Sequence, residues 1–76
     1  MQEIKESDLV ALLTDLPEAG LRRGDVGTVI EVFRRTEHHP GGYVVELVTE
    51  DGEVYAHADI TDESQLVQLR FKREAA

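Results

Sequence analysis

Apolar and polar residues alternate with period two over most of the 76-residue chain, which is the mark of half-buried β-strands. The clearest run is "DVGTVIEVF", residues 25–33, where Val26, Thr28, Ile30 and Val32 share one face and Gly27, Val29, Glu31 and Phe33 the other. Apolar groups on both faces predict a strand in the middle of its sheet. Gly27 inside it predicts a bulge or a sharp bend. "YVVELVT" (43–49) places Tyr43, Val45 and Leu47 opposite Val44, Glu46 and Val48. "EDG" (50–52) predicts a hairpin, because Asp-Gly suits turns with φ > 0. "EVYAHAD" (53–59) is the return strand, with Val54, Ala56 and Ala58 on one side and Tyr55 and His57 on the other. "QLVQLRF" (65–71) is a final strand anchored by Leu66 or Val67. "DLVALLT" (8–14) is apolar almost throughout, and its periodicity leaves a helical turn and a strand both open.

Between these runs stand breakers. "DLPEAGLRRG" (15–24) holds Pro17, Gly20 and Gly24 and predicts a ten-residue ordered loop. "RRTEHHPGG" (34–42) is a second breaker-rich turn, and "TDES" (61–64) a short turn or single turn of 3₁₀ helix. Five short strands, with turn signals every ~8–12 residues and a long loop after the first, predict a small all-β barrel. We expect one domain over residues 1–76, with its core at about 9–70 and tails at 1–7 and 71–76. A domain this small buries only ~60–65% of its unfolded surface, so its core is thin.

Charge narrows the function classes. Sixteen acidic and eight basic residues give a formal net charge of −8. Nucleic-acid binding draws its affinity from neutralised phosphates, so an acidic chain disfavours it unless Arg22, Arg23, Arg34 and Arg35 gather on one face. An acidic surface suits a basic protein partner better. There is no cysteine, hence no disulfide or thiolate metal site, in keeping with a reducing cytosol. The start of the chain has neither the basic residues nor the apolar stretch of a signal peptide. No apolar run approaches the ~20 residues of a membrane helix. A soluble, cytoplasmic protein is expected.

"LRRGDVG" (21–27) invites a phosphate-loop reading. A phosphate-cradling loop needs G-x-G-x-x-G or G-x-x-x-x-G-K-[ST] with a helix behind it. Here a strand follows and no Lys-Ser/Thr pair does, so Gly20, Gly24 and Gly27 are read as structural, with Arg22 and Arg23 on a solvated loop. His38 and His39 are adjacent in a turn, and His57 and Asp59 form H-x-D on one strand face. Two histidines and a carboxylate can hold a metal, but adjacent histidines rarely point at one ion, and no metal or other cofactor is expected. Glu31 and Glu46 are expected either to repel across neighbouring strands or to pair with Arg34 or Arg70. Acid–base catalysis needs a pocketed group and nucleophilic catalysis a nucleophile with its base. Neither pattern is present, and no enzyme is expected. Of the four aromatic residues, Tyr43 and Phe33 are expected in the core and Tyr55 partly exposed.

With those residues in hand, the order L-P-x-x-G-L-x-x-G, x-V-G-T-V-x-E-V, turn, Y-x-V-E-L, D-G, strand resembles a bacterial family of short domains of unknown function. That family has an SH3-like barrel related in shape to KOW modules. The resemblance is carried by Leu16, Pro17, Gly20, Leu21, Gly24, Gly27, Thr28, Val29, Glu31, Val32, Tyr43, Val45, Glu46, Asp51 and Gly52, and runs from about Leu9 to Leu69. These are turn and core positions, and the family has no established catalytic residues to carry over. The "EHHPGG" turn is longer and richer in histidine than this type. What the resemblance implies is a five-stranded, partly open SH3-like barrel, and for some members of such families, partnership with toxin-like or nuclease-like proteins.

The expected function is a non-enzymatic protein-interaction module that binds a basic partner, antitoxin- or immunity-like. Arg22, Arg23, Glu46, Glu53, Tyr55 and His57 are the candidate contact residues, and an open edge strand could add β-augmentation or homo-oligomerisation. The alternative is a KOW-like nucleic-acid module using Arg22, Arg23, Arg34 and Arg35.

Overall fold

The computed structural model describes residues 3–70. The expected tail from Phe71 onward, and Met1 and Gln2, lie outside the described residues. Within them the chain forms β1 (Leu9–Leu12), β2 (Val26–Phe33), β3 (Gly42–Val48), β4 (Val54–Ile60) and β5 (Leu66–Gln68), with single 3₁₀ turns at Pro17–Ala19 and Glu63–Gln65. The strands make one antiparallel sheet in the order β4-β3-β2-β1-β5. This is a small all-β, partly open barrel with a long first loop, and β2 is its central strand.

The ambiguity over residues 8–14 resolves as a strand because period two decides its burial. Val10 and Leu12 are fully buried while Leu9 and Ala11 are half-buried. The same alternation places Val29, Val45, Leu47, Ala58, Ile60 and Leu66 on the inner face. Leu66, and not Val67, therefore anchors β5. Leu21 from the first loop and Ile4 from the N-terminal segment complete the core, so the packed unit reaches back into a stretch that reads as a polar tail. Each of the buried Val, Leu and Ile side chains contributes about 1.5–3 kcal/mol by leaving water.

Two expectations about β2 are corrected. Gly27 is in regular register, opposite Val10 on one side and Leu47 on the other. The irregularity lies between Val29 and Glu31, so Ile30 is the extra residue. Gly27 instead permits a close approach: a Cβ there would stand 2.6 Å from the Glu46 carbonyl oxygen and 2.7 Å from Val45 Cγ1. Phe33 is not in the core either. Beyond Ile30 the strand is paired with β3 alone, and every residue from Ile30 to Phe33 is exposed, Phe33 by 43%. Its ring lies 5.6 Å from that of His39. Tyr43, by contrast, packs against the core as expected.

The β3–β4 hairpin forms where Asp-Gly predicts it. Gly52 N–H donates to the Thr49 carbonyl at 2.9 Å, and Gly52 takes φ +85°. Tyr55 is then the extra residue, because Leu47 pairs with Ala56 and Val48 with Val54.

Candidate functional site

The residues that most suggest a phosphate grip are held as a corner. The Arg22 N–H donates to Asp25 Oδ2 at 3.0 Å, and the Arg23 N–H to Asp15 Oδ1 at 2.9 Å. Gly24 N–H donates to the Leu12 carbonyl, and Asp25 N–H to that of Arg22. Leu16 and Leu21 exchange two backbone hydrogen bonds of 2.9 and 3.0 Å across the loop. The amides that would cradle an anion are thus occupied by aspartates and carbonyls, and no helix stands behind them. Arg22 and Arg23 precede β2 while Arg34 and Arg35 follow it. Eight residues of strand, which at ~3.3 Å each would span about 26 Å fully extended, put the two pairs at opposite ends of β2.

The outer face of the sheet carries the acidic candidates. Cross-strand register aligns Thr28, Glu46 and His57 in one row and Glu31, Val44 and Asp59 in the next. Glu31 and Glu46 are therefore diagonal neighbours and not direct opposites. Neither pairs with Arg34 or Arg70: among the described residues the only carboxylate partners within ion-pair distance are His57 for Glu46, at 3.3 Å, and His38 for Glu37, at 3.4 Å. The His57 side chain is 57% exposed, so this pair contributes between about zero and 1 kcal/mol. Glu53 precedes the return strand and is exposed, with its N–H donating to Thr49 Oγ1.

Tyr55 is 49% exposed, as expected. Partial burial raises its phenol above the usual tyrosine value, and the Asp25 carboxylate adds to the effect. The Tyr43 phenol is raised in the same way, first by burial and then by Glu63, to whose Oε2 it donates at 3.2 Å.

A groove adjoins His57 and Asp59. It has a volume of about 410 Å³ and runs between the first loop, at Leu16, Pro17, Glu18 and Ala19, and the middle of β4, at His57, Ala58 and Asp59. Its floor is apolar and its charged groups are two carboxylates. Glu18 is a functional candidate that sequence reasoning misses, since it lies in a turn whose docking against β4 spans some forty residues of chain. Asp59 is half-legible, because H-x-D puts it on the same face as His57.

The histidines do not assemble. His39 accepts from the Gly41 N–H through Nδ1 at 2.9 Å, His38 is exposed beside Glu37, and His57 stands on β4. Among the described residues no three His, Cys, Asp or Glu side chains are placed to share a metal ion. No described helix is long and apolar enough to cross a membrane.

No curated protein and no solved structure gives a match to the chain. A family does, over residues 6–67, which takes in β1 to β4, β5 up to Val67, the first loop and both walls of the groove. The chain belongs to the family described as domain of unknown function DUF4926.

Proposed function

We propose that this domain is a non-enzymatic protein-interaction module that binds a basic partner protein, in the manner of an antitoxin or immunity protein. The observation that carries the reading is the state of the acidic side chains. Glu18, Glu31 and Asp59 meet no cationic side chain within ion-pair distance among the described residues, and Glu46 meets only His57. In a chain of net charge −8, such groups project an unneutralised negative field that speeds encounter with a positive surface and disfavours acidic partners. We read the barrel as SH3-like and the protein as cytoplasmic. The contact set is Glu46, Glu53, Tyr55 and His57, with Arg22 and Arg23 flanking it on the first loop.

The nucleic-acid alternative requires a shared arginine face, and the separation of the two arginine pairs along β2 gives it no support.

The test is affinity purification of the tagged chain from its host at low and high salt, with mass spectrometry and a nucleic-acid assay of the eluate. A stoichiometric basic protein, lost on the double change Glu46→Lys and Glu53→Lys, is expected. RNA that washes off with salt, and is lost on Arg22→Glu and Arg23→Glu, would replace this reading with the nucleic-acid one.

A further inference from the structure

We infer that the partner engages by adding a strand of alternating basic and apolar residues to the free edge of β4; this rests on the interaction reading above. β4 pairs with β3 alone and ends the sheet. Among the described residues no backbone hydrogen bond from outside that pairing reaches Val54–Ile60. An edge left open in this way is a template for another strand. β4 carries no Lys and no Pro to blunt it. Its only irregularity is at Tyr55, and from Ala56 to Ile60 the register against β3 is continuous. The other edge, β5, is three residues long and offers too short a ladder.

The side-chain pattern of the guest follows from the surroundings of that edge. A strand added to β4 lies about 4.8 Å beyond it, and its side chains alternate between the two faces. On the inner side, the side of Ala58, they face the apolar part of the groove at Leu16, Pro17 and Ala19. Those positions call for apolar residues of modest size. On the outer side they stand beside Asp59 and His57, with Glu46 one strand further in, and Glu18 sits on the rim. No Lys or Arg lines the groove. Those positions call for Lys or Arg.

A second copy of this chain is the poorer guest. Two copies meeting edge to edge would each bring a net charge of −8, and the edge itself carries Asp59 with no Lys or Arg to offset it.

The experiment uses the full chain, labelled with nitrogen-15, and three acetylated octapeptides: alternating Lys and Val, alternating Glu and Val, and the Lys-Val peptide N-methylated at every second amide. The Lys-Val peptide is expected to bind, to slow hydrogen exchange at amides of residues 56–60, and to shift the amide resonances of Glu18 and Ala19. N-methylation removes the donors a strand needs and should weaken binding at least tenfold. The pair Glu18→Lys and Asp59→Lys, both at exposed positions that leave the core intact, should weaken it at least tenfold at low salt. The Glu-Val peptide should not bind.

Equal affinity for the N-methylated peptide, shifts confined to Glu53 and the hairpin, or no binding at about 1 mM would each overturn the edge. So would a dimer in sedimentation whose β4 amides are already protected without peptide. A basic protein captured from the host while the Lys-Val peptide ignores β4 would leave the interaction reading standing and remove this inference alone. Failure of both would remove both.

Discussion

The two long connections of the barrel, residues 15–24 and 34–41, both carry proline and glycine and are held in opposite ways. The first sends Leu21 into the core, fully buried, and clamps it with the reciprocal Leu16–Leu21 hydrogen bonds. Two aspartates then tie down the Arg22 and Arg23 amides. The second is exposed from Arg34 to Pro40. It is held by its own local bonds, Thr36 with His39 and His39 with Gly41, and by the Phe33–His39 ring contact at the end of β2. The first loop is therefore tied to the barrel by one apolar anchor and a few acceptors for its amides, while the second is tied mainly to itself. The anchored loop is also the one that forms a wall of the groove.

The comparison can be broken most directly at the anchor. Leu21→Ala should destabilise the domain by about 3 kcal/mol, since it removes a fully buried side chain and leaves a cavity. Chemical denaturation showing a loss below about 1 kcal/mol would mean that the two loops are not so different. Asp15→Ala and Asp25→Ala should each lose about 1 kcal/mol, the worth of one hydrogen bond to an ionised acceptor at a part-exposed site, and speed hydrogen exchange at Arg23 and Arg22 respectively. Exchange left unchanged at those amides would assign the loop's order to Leu21 alone. Phe33→Ala, despite deleting a whole ring, should cost only about 0.5–1 kcal/mol, because the ring is half exposed. A loss as large as that of Leu21→Ala would show the second turn to be anchored after all. Smallest of all, inserting three residues between Arg35 and Thr36, outside the Thr36–His39 bonds, should cost about 0.3 kcal/mol of closure entropy. The same insertion after Ala19 would displace Leu21 and approach the cost of deleting it; equal effects on thermal unfolding at the two sites would erase the contrast.

Much of the fold is legible in period two alone, because alternation, strand burial and central position are the same physical fact seen along β2, β3 and β4. The exceptions share a cause. Phe33 reads as core by residue type, but the bulge at Ile30 and the end of β1 pairing at Thr28 leave nothing above it to pack on. The bulge expected at Gly27 falls at Ile30 because a glycine in a strand signals either a bulge or a close approach, and only the neighbouring strand shows which. Ile4 is a lone apolar residue in a charged segment, with no periodicity to announce it. At the candidate site, Glu46 and His57 are readable as outward residues of adjacent strands, and their pairing follows from hairpin register. The groove is not readable, since Glu18 and Asp59 meet only through the closure of the barrel.

The open edge of β4 also bears on how the chain survives alone. An unpaired, proline-free and lysine-free strand is a nucleus for aggregation, yet any two copies that approach edge to edge carry net charges of −8 each. Excess negative charge here acts as a colloidal guard, effective only while the solvent leaves it unscreened. At ionic strengths that shorten the screening length to about 3 Å, or once acid removes the carboxylate charges, the guard is withdrawn while the edge remains. Shelf life in the unbound state is then a property of the buffer as much as of the fold.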